Sequence, residues 1–201
     1  MVPPGLSVSN GRQAGIDRRR ALTDFVSMFR LVLGVLLMCG ACGVAEKPDS
    51  ARTVAAYEVS LPTVSDKARF VELLRRHAET EGFHVDAATS HELNAMSQVS
   101  PITFNATVWR GEDDSEVMAS AMDFRDRIGR VWISFPRGQD PGRSARFRKS
   151  LVSELMREWP RTASLPVMPN GAIPLTHDLV RTPSGYSVKP SAAAKYENKG
   201  R

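Results

Sequence analysis

Between Pro101 and Pro136 apolar and polar side chains alternate through three successive segments, and a period of two commits this stretch to a sheet. Residues 102–110 set Ile102, Phe104, Ala106 and Val108 against Thr103, Asn105, Thr107 and Trp109. Residues 116–124 set Met118, Met122 and Phe124 against Val117, Ala119 and Ala121, and residues 130–135 set Val131, Ile133 and Phe135 against Trp132 and Ser134. The polar connections 111–115 and 125–129 are too short for a crossover, so the three strands are predicted to be antiparallel neighbours.

The flanking segments add helices and further strands. Residues 54–61 read as a strand ended by Pro62, and residues 83–87 as a short one after Gly82. Between them, Phe70, Leu73, Leu74, His77 and Ala78 share one helical face, with Thr63 and Asp66 placed as a capping-box-like start. A second helix is predicted over about residues 143–159, where Phe147, Leu151, Leu155 and Trp159 step by four and Pro160 stops it. A helical turn or two is expected at residues 90–96. Residues 165–175 (LPVMPNGAIPL) hold three prolines, so an irregular segment covering an edge or the end of the core is expected rather than a central strand.

The predicted class is α+β, an antiparallel sheet of about four to five strands with two helices packed on one face. The expected organisation is a leader and signal at 1–41, a tether at 42–53, the α+β domain at 54–180 and a polar tail at 181–201, with a short strand at 186–188. Trp109 and Trp132 are placed on neighbouring strands and read as core under the helices, with exposed interface anchors as the alternative.

Both cysteines, Cys39 and Cys42, precede the domain, which therefore has no thiol for a disulfide or a cysteine-bound metal. Residues 31–45 (LVLGVLLMCGACGVA) are uncharged, follow Arg30 and end in small residues. The run is shorter than the roughly 20 apolar residues a membrane-crossing helix needs, and basic, apolar, small is the order of an export signal. Before Cys42 stand five Arg and two Asp, so the rest of the chain carries only +2 of the formal net charge of +5. A charge that small gives no reason to expect nucleic acid as a partner.

Cys39-Gly40-Ala41-Cys42 resembles the lipobox of bacterial lipoproteins, although Cys39 stands where that family usually has Leu, Val or Ile. The resemblance covers about 15 residues of the chain and speaks to processing alone. It implies cleavage after Ala41, acylation of Cys42 by palmitate-type chains, and a membrane-anchored protein of the cell envelope. Gly43, in place of the Asp that favours inner-membrane retention, points to the periplasmic face of the outer membrane. The first 27 residues are long and polar for such a signal, and a start at Met28 gives a compact one; Met1 and Met28 both stand as starts.

Chemistry-bearing patterns are sparse. The sequence has no HExxH, GxSxG, P-loop or GxGxxG motif, and no cofactor or metal is expected. His77, His84 and His91 are evenly spaced but fall on a helix, a strand and a loop, so they read as ordinary histidines, and His177 as one more. Glu112, Asp113, Asp114 and Glu116 read as a solubilising turn. Arg137, Arg143, Arg146, Arg148 and Lys149 cluster at the start of the second helix, where cations oppose the helix dipole. They read first as a solvated face, with Asp140 offsetting part of the charge; the alternative is a candidate surface for an anionic lipid, a glycan or an acidic partner protein. Two function classes stay open: a non-enzymatic envelope lipoprotein that binds a protein, of assembly-factor or inhibitor type, and an envelope enzyme or a glycan- or anionic-lipid-binding protein.

Overall fold

The computed structural model describes residues 49–88, 92–93, 101–111 and 114–197. Cys39, Ala41 and Cys42, most of the expected tether, His91, all but two residues of the 90–96 segment, and the last four residues lie outside this set; Glu92 and Leu93 are helical.

The chain runs β1 (Thr53–Ser60), α1 (Val64–Thr80), β2 (Phe83–Ala87), β3 (Ile102–Arg110), β4 (Glu116–Phe124), β5 (Arg130–Pro136) and α2 (Pro141–Glu158). It continues through β6 (Ala163–Leu165), β7 (Leu179–Thr182), β8 (Gly185–Val188) and α3 (Ala194–Glu197). The class is α+β, but the sheet is larger and less uniform than predicted. It has eight strands in the order β2-β3-β4-β5-β1-β6-β8-β7, and β6 pairs with β8 in parallel while the other pairs are antiparallel.

The extra strands come from chain that the sequence pattern reads as irregular or as tail. Ala163–Leu165 is only three residues, too short to show alternation. The 179–188 hairpin crosses the expected boundary at 180. Beyond it, α3 is tied down by Asp178, whose carboxylate accepts from the Tyr196 hydroxyl (2.7 Å) and the Lys195 ammonium (3.1 Å). At the other end, Asp49–Ala51 form a single 3-10 turn, and the Arg137 and Gly138 amides donate to Arg52 and Ser50 oxygens at 2.8 Å, so folded structure begins inside the expected tether.

The helices form as their caps dictate. Thr63 and Asp66 make a reciprocal capping box on α1, and Gly82, at φ +70°, turns the chain out of it. Asp140 caps α2 by accepting from the Arg143 amide (3.0 Å), with Pro141 as first helical residue. Phe70, Leu73 and Leu74 of α1 and Phe147, Leu151 and Leu155 of α2 join Val59, Phe104, Val131, Ile133 and Phe135 in one buried cluster. Both helices therefore cover the same sheet face. Phe147 sits at the centre, with its ring 5.2 Å from Phe83 and 5.5 Å from His77.

Two bulges correct the predicted faces of β3 and β4. The register steps from Ile102↔Phe124 to Phe104↔Asp123, and from Val108↔Ala119 to Trp109↔Val117, leaving Thr103 and Met118 as extra residues. Each insertion reverses the facing of the residues beyond it. Met118 joins Ala119 and Ala121 under the helices, while Ile102, Met122 and Phe124 form a cluster of their own. Met122 alternates with Ala121, so that cluster lies on the far face.

Candidate functional site

Two charged regions stand apart from the apolar core. The first is the basic start of α2, where the five cations read as one surface divide by role. Arg137 forms an ion pair with Asp49 and so pins the N-terminal turn. Arg143 donates to the Glu81 carbonyl (2.7 Å) and lies 4.9 Å from the Phe83 ring, stitching the start of α2 to the end of α1.

Arg146 and Lys149 are exposed and Arg148 is half-buried beside them. None of the three has an ion-pair partner among the described residues. Arg146, Lys149, Ser150, Ser153, Glu154 and Arg157 line a shallow groove on the outer side of the helix. From Pro141 to Ser153 the helix holds four cations and no acid.

Its second half is balanced: Arg157 meets Glu154 at 3.1 Å, Arg76 meets Glu154 at 3.6 Å and Arg69 meets Glu158 at 3.3 Å. Asp140 offsets part of the unfavourable dipole placement at the N-terminus. Its carboxyl is held below the ordinary value, first by the Arg143 amide.

The second region is an ionic layer on the sheet face away from the helices. Glu58 in β1 is buried and accepts from Trp132 Nε1 (3.0 Å), the Tyr186 hydroxyl (2.7 Å) and Arg130 Nη2 (2.9 Å). Burial pushes its carboxyl up, but the hydrogen bonds from Arg130, Tyr186 and Trp132 together outweigh this and hold it below the ordinary glutamate value. Arg127 is buried with its guanidinium 3.5 Å from the centre of the Trp132 ring and 4.5 Å from that of Phe124. Burial lowers its pKa to about 10, so it remains a cation at neutral pH. Nearby, Leu165, Leu179 and Ala56 cluster with Val167, Ile173 and Tyr186, which seats the 166–175 segment against the end of the sheet.

Trp132 is thus a half-buried stacking platform, not core beneath the helices. Nor are Trp109 and Trp132 on neighbouring strands, because β4 lies between β3 and β5.

Glu116 departs from its predicted role as well. It is buried, accepts from Arg110 (3.0 Å) and from the Gln139 amide (2.5 Å), and so braces the β5–α2 loop. Glu112 and Asp113 lie outside the described residues, and Asp114 pairs with His84. His77 packs between Phe147 and Glu154, and His177 is exposed beside Asp178.

Glu58, Arg127, Arg130 and Tyr186 were not read as a unit from sequence. Glu58 and Tyr186 are 128 positions apart, and Tyr186 falls in the expected tail. The one available signal is the acid at position 58 in an otherwise uncharged strand.

Among the described residues no group of three or more His, Cys, Asp and Glu side chains could hold a metal ion, and no helix is long and apolar enough to cross a membrane. No family model matches the chain, and no curated protein matches it. The exposed cations of α2 can attract an anionic surface, whereas the ionic layer is occupied in fastening the C-terminal hairpin to the sheet.

Proposed function

We propose that the chain is a lipid-anchored protein of the cell envelope, held at the periplasmic face of the outer membrane, whose domain acts by binding a partner protein in the manner of an assembly factor or inhibitor. The observation that carries the anchoring is Gly40-Ala41-Cys42 at the end of an uncharged, export-type run. Acylation of the Cys42 sulfur and amino group gives the two or more chains that stable anchoring requires. Asp49, the first described residue, lies only seven positions further on, which keeps the domain close to the bilayer.

Recognition without chemistry is the favoured class because the buried carboxylates Glu58, Glu116, Asp123 and Asp178 each serve to join elements of the fold, Asp123 by accepting from Lys67 of α1 and from the Gly129 amide. Metabolic labelling with a palmitate analogue tests the anchor. Wild type incorporates label and sediments with membranes, and the Cys42→Ser variant does neither. An unlabelled, soluble wild type overturns the reading. Purification of the acylated protein from detergent-solubilised envelope then tests the partner: one stoichiometric companion supports the binding class.

A further inference from the structure

We propose that the first half of α2 rests on the anionic phospholipid headgroups of the bilayer that holds Cys42, so that lipid and helix together fix the orientation of the domain. The inference rests on the anchoring reading and adds a second, electrostatic contact to it.

The first observation is the charge. Arg146 and Lys149 are exposed, Arg148 flanks them, and none of the three is neutralised by an ion pair among the described residues. Of the carboxylates at this end, Asp49 is paired with Arg137 and Arg52, and Asp140 accepts from the Arg143 amide while its charge offsets part of that of Arg146. Cations on the far half of the same helix face carboxylates, so the imbalance is local.

The second observation is where the anchored chain enters the domain. The Gly138 amide donates to the Ser50 carbonyl (2.8 Å), and Gly138 is pressed so closely on α2 that a Cβ there would lie 2.1 Å from Ser144 Oγ. Residue 50 therefore sits against the first turn of α2. Lys149 is eight positions beyond Pro141, about 12 Å along the helix axis. Seven residues of chain span at most about 25 Å, a reach that allows the acylated end to lie beside this basic face.

An acidic partner protein would satisfy the charge equally well, but it would not require the entry point and the unpaired cations to coincide. Cations beside an anionic membrane surface are attracted within about a Debye length, and three of them shift the docked population by on the order of a hundredfold.

The test uses the mature acylated protein in vesicles of phosphatidylcholine alone or with one part in three phosphatidylglycerol. Mass spectrometry follows acetylation of lysines by a water-soluble reagent and reads the acyl mass on Cys42 in the same sample. The expected result is severalfold slower modification of Lys149 in the anionic vesicles, reversed by high salt, with Lys189 on the C-terminal hairpin unaffected. Equal Lys149 rates in both vesicles, with Cys42 acylated, overturn the membrane contact and leave the anchor standing. Lys149 protection in native envelope but not in anionic vesicles overturns it in favour of an acidic protein. A Cys42 without acyl mass overturns anchor and contact together.

Discussion

Trp132 Nε1 donates to Glu58 Oε2 at 3.0 Å, joining neighbouring strands β5 and β1 on the sheet face that the helices leave free. The same carboxylate holds Arg130 and Tyr186, so one buried acid connects the central sheet to the last hairpin. Losing this acceptor strands the Trp132 and Tyr186 donors and unpairs the partly exposed Arg130, at about 1–3 kcal/mol. Glu58→Ala is expected to lose stability in that range in urea denaturation, with accelerated proteolysis around the 179–188 hairpin. A loss under 1 kcal/mol would show the layer to be dispensable.

The same group sets an acid limit. Its folded pKa lies below its ordinary value of 4.5, so its contribution is fully present well above that pH and disappears as pH falls through the lower, folded value. Asp178 adds a second such contribution, present above 3.8 and lost as pH falls below it, because the Tyr196 hydroxyl and Lys195 favour its ionised form. Wild type is expected to lose stability steeply below pH 4.5, and Glu58→Gln to show a shallower slope over the same window. Parallel slopes for the two proteins in pH-dependent denaturation would remove Glu58 from the acid transition.

The basic cluster separates into structural and free cations by stability. Arg143 holds a carbonyl and faces a ring, and a hydrogen bond from a charged donor contributes about 1.5–3 kcal/mol. Arg146 makes no hydrogen bond or ion pair among the described residues and feels only the nearby charge of Asp140, and such surface changes stay within about 0.5 kcal/mol. Arg143→Ala is therefore expected to lower the thermal midpoint by several degrees while Arg146→Ala leaves it in place. Equal shifts for the two would contradict this division.

The central sheet and both long helices were legible because their apolar positions recur at periods the backbone enforces. The Thr63 cap, the β2 span 83–87 and the β4 span 116–124 stand where the sequence put them. Facing was not legible beyond a bulge, since one inserted residue such as Met118 moves all later side chains across the sheet. Of the C-terminal strands, β8 overlaps the short strand expected at 186–188, whereas β6 and β7 were missed for a different reason. They are three or four residues long, and what fastens them is contact with Glu58 and Ala56, far back in the chain. Of the candidate surface, the cations were visible, but the engagement of Arg137 and Arg143 depends on neighbours that only the fold supplies.

Gly185 offers the most local test of the C-terminal extension. It is the only residue of β8 paired with β6, opposite Ser164, and its φ of +138° lies where L side chains are strained. An added Cβ would sit 2.5 Å from the Ser164 carbonyl oxygen and 2.9 Å from its amide nitrogen, both fixed by the backbone of β6. Strain and close approach act together, so Gly185→Ala is expected to destabilise the protein by more than about 1 kcal/mol. Because the parallel junction is confined to this one position, the damage should centre on the extension: hydrogen exchange rises across residues 179–188 while α1 and α2 keep their protection. Unchanged exchange in the hairpin of the variant would mean that Tyr186 and the packing of Leu179 secure it to the sheet without this junction.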